Sequence, residues 1–204
     1  MKSLSSLLLA ASVFAVPAMA ETVQASFLTG FPLALVDLDG GIRGNLNAKA
    51  LIGGEVTLHL KDYPFAVGVY YEGYFGGDYG MLPLNNSGIM LHYYPFGSLN
   101  NNTNIGNKVS VRQTGLTMYG TFAAGLTFMN IRSQKATDTQ HFFGASAFNM
   151  KLAANLDYPV DDRFVMGGSL YYLTTFGGKA GPDNEDVGIP LSFAFVMRSS
   201  WLFF

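Results

Sequence analysis

Residues 45–61 alternate almost without a fault. Leu46, Ala48, Ala50, Ile52, Gly54, Val56, Leu58 and Leu60 hold the even positions. Asn45, Asn47, Lys49, Leu51, Gly53, Glu55, Thr57, His59 and Lys61 hold the odd ones. Successive side chains of a strand point to opposite faces, so this segment predicts a strand with one oily and one polar face. At about three times the usual ~5–6 residues, it is also unusually long. The rhythm recurs, and about eight strands are predicted: 22–36 (broken by Gly30 and Pro32), 45–61, 65–75, 88–94, 111–132, 142–157, 163–176, and a last one from Pro190. Short turns at 62–64 and 157–162 alternate with longer loops near 37–44, 76–87, 133–140 and 177–188. An Asn-rich connection covers 100–108.

Which face lies inside decides the class. The polar face is largely Gly, Ala, Thr, Asn and Tyr with scattered charges, which is poor for a water-facing surface. The oily face carries Phe, Leu, Met and Tyr on nearly every strand. Lipid outside explains both: apolar side chains out, small and polar ones in. In a bilayer every backbone N–H and C=O must be paired, so the sheet has to close on itself. Aromatics near strand ends (Phe65, Phe75, Tyr93, Tyr94, Phe96, Phe142, Tyr158, Phe164, Tyr172, Phe176) suit the interfacial girdles of such barrels. The expected fold is all-β: a closed, antiparallel, up-and-down transmembrane β-barrel of eight strands. A soluble lipid-binding barrel is the fold-level rival.

Composition narrows this further. Charged residues are only 13% of the chain, about half the level typical of soluble domains. Yet no later stretch reaches the ~18 apolar residues of a membrane helix. At the N-terminus, Lys2, the apolar 4–16 run and the Ala18-Met19-Ala20 site read as a secretion signal over 1–20, leaving a single domain at 21–204. Without Lys2, 11 basic residues face 14 acidic ones, a net charge of −3. No basic footprint for nucleic acid exists. Cys is 0, so no disulfide framework holds the fold.

The stretches 88–97 (Gly-Ile-Met-Leu-His-Tyr-Tyr-Pro-Phe-Gly), 118–125 (Met-Tyr-Gly-Thr-Phe-Ala-Ala-Gly) and 144–172 carry a resemblance to the small OmpA-like and OmpX-like outer-membrane β-barrels. The resemblance covers the whole mature chain and is one of pattern. It implies an outer-membrane location in a Gram-negative envelope and a monomer. It also implies lipid, lipopolysaccharide and the barrel-assembly machinery as partners, with the terminal Phe204 as assembly signal. Phe204, however, is out of step with the odd apolar phase of Leu191, Phe193, Phe195, Met197, Trp201 and Phe203. Either a bulge shifts the register or the strand ends near Arg198 and a short tail follows. With both termini periplasmic, turns 62–64 and 157–162 and the 100–108 connection face the periplasm and the other loops face outside.

Eight strands leave an interior that side chains fill, with no open water channel. The inward set contains Lys49, Glu55, His59, Glu72, His92, Asn149, Lys151, Asn155, Asp157 and Arg198. Buried charges need partners, so Lys49, Glu55, Glu72 and Lys151 are expected to form an ion-pair network in a polar lumen. That network serves either as structural filling or as a gated or ligand-binding lumen. The function expected is a structural or surface-interaction barrel. The alternatives are a narrow channel for small or apolar solutes and a lipid A-modifying enzyme. Against the enzyme, His59, His92 and His141 are followed two residues on by Lys61, Tyr94 and Phe143, so the deacylase-type His-x-Ser pair is absent. No metal-ligand spacing is present, since 183–186 lacks the calcium-loop pattern, and no cofactor is expected.

Overall fold

A computed structural model describes residues 20–35, 49–60, 63–75, 84–96, 102–105, 109–112, 115–132, 142–180, 185–187 and 191–203. The segment read as a secretion signal, apart from Ala20, most of the longer loops, His141 and Phe204 lie outside these. Among the described residues there are eleven strands: β1 (Ala20–Leu35), β2 (Ala50–Leu60), β3 (Phe65–Phe75), β4 (Leu84–Tyr93), β5 (Asn102–Ile105), β6 (Val109–Arg112), β7 (Thr117–Arg132), β8 (Phe142–Pro159), β9 (Phe164–Ala180), β10 (Glu185–Val187) and β11 (Leu191–Phe203). Eight of them form the barrel. β1, β2, β3, β4, β7, β8, β9 and β11 each pair antiparallel with the next, and β11 returns to β1. β5 and β6 make a separate hairpin between β4 and β7, and β10 pairs back onto the end of β9.

The register sets the geometry. From Leu28, paired residues run through Gly53, Glu72, Asn86 and Thr127 to Ala147 on β8. In the other direction they run through Arg198 and Gly167 to Asp157 on the same strand. The two arrivals are ten residues apart (157 − 147), which is the stagger of closure. A closed sheet must tilt its strands, by about 35–45° in such barrels. Side chains distant in the pairing ladder therefore come to the same level in the lumen.

The alternating faces emerge as expected. On β2, Leu51, Glu55, Thr57 and His59 are buried, while Ile52 and Val56 are exposed. The exposed set over the whole wall is bulky and apolar: Phe27, Phe31, Val69, Ile89, Phe122, Leu126, Phe148, Leu152, Leu170, Phe195 and Met197 among others. On a water-facing surface so wide an apolar belt would drive association. Facing hydrocarbon, it is the favourable arrangement. Outward aromatic pairs sit on this surface: Phe65–Tyr93, Phe164–Trp201 and Tyr172–Phe193.

Several boundaries differ from those read along the chain. β1 runs unbroken through Gly30 and Pro32. Among the described residues its pairing with β2 runs to Gly30 and its pairing with β11 to Leu35, so Pro32 lies past the described β2 ladder, where Pro is tolerated best. β4 starts at Leu84 rather than at 88, and β8 continues to Pro159, so the turn after it is shorter. The predicted strand from 111 starts at Thr117 instead, because 109–112 belongs to the β5–β6 hairpin that replaces the expected Asn-rich loop. β9 extends to Ala180, stabilised by its pairing with β10. Neither explanation for Phe204 holds. β11 continues past Arg198 to Phe203 with no register shift against β1, and Trp201 and Phe203 stay outward.

Glycine decides how closely β4 and β7 approach. Gly88 and Gly125 are directly paired, and a Cβ on Gly125 would fall 2.0 Å from the Ser87 carbonyl oxygen and 2.6 Å from the Gly88 Cα. Gly120, on the same strand, faces open space. We predict that Gly125→Leu destabilises the barrel by about 1–3 kcal/mol, as overpacking does, whereas Gly120→Ala is nearly neutral. Urea unfolding midpoints in lipid vesicles measure both, and equal midpoints for the two variants would refute the close-approach argument.

Candidate functional site

The lumen is the place where chemistry-bearing side chains converge. Its lower level, toward the chain termini, is organised by Arg198 on β11. The guanidinium Nη1 lies 2.9 Å from Asp157 Oδ1 and also donates to the Tyr119 hydroxyl. Nη2 donates to Asn155 Oδ1 at 2.8 Å and to Ser169 Oγ. Nε stands 2.8 Å from Glu55 Oε1 as an ion pair, though its N–H is not aligned for a hydrogen bond. Five side chains from β2, β7, β8 and β9 thus converge on one cation from β11. Arginine suits the position because its planar fork presents five donors at fixed angles. Asn155 extends the network to Thr121 at 2.8 Å, and Thr121 meets His92 Nδ1 at 2.7 Å.

Beneath this level an aromatic plug narrows the lumen, and it contains Tyr94, which is buried here and is not part of the expected interfacial girdle, because its backbone is held at the β2–β3 turn with the ring turned inward. Tyr94 stacks on Tyr119 with ring centroids 4.5 Å apart, and His59 and His92 lean against Tyr94 at 5.5 and 6.3 Å. The backbone N–H of Tyr94 donates to the Pro64 carbonyl at 2.8 Å, which pins the ring at the β2–β3 turn. His59 Nε2 meets Gln24 Oε1 at 2.8 Å.

The upper level is built on Lys151 of β8, which is paired with Glu72 of β3. Its ammonium also sits 4.2 Å from the Tyr70 ring centre and 5.0 Å from that of Tyr171, within cation–π range. Tyr171 donates to Glu72 Oε2 at 3.2 Å and shares a 2.6 Å hydroxyl contact with Tyr74. Tyr70 donates to Asn149 Oδ1 at 2.6 Å, Asn149 donates to Thr127 at 3.0 Å, and Thr127 donates to Asn86 at 2.7 Å. Tyr70, Met90 and Ala123 form an apolar contact on the same face of the wall.

The sequence-predicted residues separate into groups. Glu72 and Lys151 meet each other. Glu55 pairs with Arg198 and not with either lysine. His59, His92, Asn149, Asn155 and Asp157 are all buried. Lys49 does not join them: it precedes β2 and is exposed, because the inward face of this strand begins at Leu51 within the described chain. The lumen is also less uniformly polar than expected. Leu28, Leu51, Leu84, Leu173 and Val196 are buried on inward positions. Two features were invisible along the chain. Arg198 was an inward cation without assigned partners, and the inward tyrosines at 70, 119 and 171 gave no sign that they would lie against the two cations. The stagger of the barrel makes both arrangements, and it has no local signature.

No family model matches the chain, and no curated protein matches it. Solved structures do. A Neisserial surface protein A is 13% identical, over 88% of this chain and 95% of that one, with a TM-score of 0.52. The outer membrane protein OprG from Pseudomonas aeruginosa is 14% identical, over 89% and 94%, with a TM-score of 0.49. At such identity the likeness to the Neisserial protein is one of fold, that of the small outer-membrane barrels.

Removing Arg198 would leave two buried carboxylates unpaired. We predict that Arg198→Ala costs about 3–5 kcal/mol of stability, the usual range for breaking a buried pair. The triple change Arg198→Met, Glu55→Leu, Asp157→Leu should cost much less, because it removes the stranded charges together with their partner. Urea titration in vesicles compares them, and a single variant no less stable than the triple would contradict the hub.

Proposed function

We propose that this chain is an integral outer-membrane barrel with a sealed lumen and a structural or surface-interaction role, acting as a monomer. The observation that carries the reading is that the two cations buried in the lumen among the described residues are both engaged by the protein itself. Arg198 and Lys151 each spend their donors on carboxylates, hydroxyls, an amide or tyrosine faces at separate levels, and the Tyr94–Tyr119 stack lies below them. A conducting pore needs charged groups that meet water and ions rather than one another. The hydroxyl–imidazole contact of Thr121 and His92 is buried inside the barrel with Asn155. That supports a non-catalytic reading, since a lipid substrate would reach the outer wall. The partners that go with this reading are outer-membrane lipid and lipopolysaccharide around the belt, and the assembly machinery at Phe204. Recognition would then fall to the outer loops, which are acidic in sequence at Asp37, Asp39, Asp78, Asp138, Asp183, Glu185 and Asp186.

Planar-bilayer recording tests the seal. The natural chain is expected to be electrically silent. The double substitution Arg198→Gly, Lys151→Gly, in chains that still show the heat-modifiable migration of a folded barrel, is expected to give small, flickering currents. Steady discrete conductance from the unaltered protein, or uptake of small solutes into vesicles containing it, would replace the sealed barrel by a channel.

A further inference from the structure

The outer wall carries a furrow that neither the fold nor the sealed lumen requires. It has a volume of about 470 Å³ and crosses β4, β7, β8, β9 and β11. Two small residues make its floor, Gly120 and Ala154, which are paired neighbours on β7 and β8. Bulky side chains rise around them, among them Phe122, Leu152 and Leu170, each 43–58% exposed. Outward aromatics stand at its margins: Tyr93, which meets Phe65 at 5.3 Å, and Tyr172, which meets Phe193 at 5.7 Å. A Cβ added at Gly120 would meet nothing within 4 Å, so packing within the barrel does not demand glycine there.

We propose that this furrow holds one lipid acyl chain as a specific site on the barrel wall. The furrow is continuous with the lipid-facing belt, so hydrocarbon is the medium already against it. Its outward lining is apolar apart from two tyrosine hydroxyls, since Thr121 and Tyr171 belong to the inward face and border it from the wall itself. A groove one or two side chains wide between raised rows matches a flexible chain. A second barrel is a convex cylinder and cannot enter it. The twelve lining residues are also fewer than the ~20–30 a side that a stable protein interface engages. Closing an apolar furrow with a chain gains the dispersion contacts that its walls otherwise lack.

Native mass spectrometry of the full chain released from nanodiscs of palmitoyl-oleoyl-phosphatidylethanolamine tests the site. The natural protein is expected to retain one lipid per barrel. Gly120→Leu with Ala154→Leu fills the floor and is expected to lower that adduct at least fivefold. Val56→Leu, on the outer face of β2 away from the furrow, is expected to leave it unchanged. Gly120→Ala guards against a misfolded double variant: it meets no atom, folds normally and is expected to give an intermediate loss. Equal retention by all variants, or equal loss from Val56→Leu, would overturn the site. A dimer of the natural chain that the furrow substitutions dissolve would assign the furrow to a second copy instead.

Discussion

In hydrocarbon a backbone N–H or C=O without a partner costs several kcal/mol, and there is no water to supply one. Everything else in this structure answers to that constraint. The first and last barrel strands lie almost the full chain apart, yet they pair continuously from Val23 with Phe203 to Leu35 with Leu191. This pairing abolishes the sheet edge. It also explains why β11 continues beyond Arg198 to Phe203: ending earlier would strand the backbone of β1 next to lipid. The same demand accounts for the unbroken path through Gly30 and Pro32, where β1 keeps its pairing with β11 to Leu35.

Closure then dictates the interior. Eight strands with a ten-residue stagger bring inward side chains from opposite walls into contact, and the charges among them have nowhere to hydrate. Among the described residues the protein resolves this with Arg198, which takes Glu55, Asp157 and Tyr119, and with Lys151, which takes Glu72, Tyr70 and Tyr171. Separating the two hubs by level keeps the cations from sharing partners, and apolar side chains such as Leu51 and Leu173 occupy inward positions that carry no polar partner. Where backbones must approach most closely, at Gly88 and Gly125, the side chain is dispensed with altogether.

The outer surface obeys the opposite logic. Its side chains carry few polar groups that need a partner, so for the most part they need only be apolar and correctly phased. That freedom is what allows small residues at Gly120 and Ala154 to leave a furrow without harming the fold. Packing does not fix those positions, and their size is therefore available to serve the lipid.

The strict alternation of residues such as Ile52, Val56 and Leu58 with Glu55, Thr57 and His59 was enough to determine the strands, their faces and the all-β barrel class, because period 2 is a local property of an extended chain. It located Glu72, His92, Lys151 and Asp157 on the inner face for the same reason. It could not pair them. Glu55 meets Arg198 rather than a lysine, Lys49 falls outside the buried set, and the tyrosines enclose the cations only because the stagger sets which levels meet across the lumen. Stagger arises from ring closure over the whole chain, so it leaves no trace in any one segment. The strand ends at Leu84, Pro159 and Ala180 were likewise decided by neighbouring strands, whose hydrogen bonds extend a strand beyond what its own alternation marks.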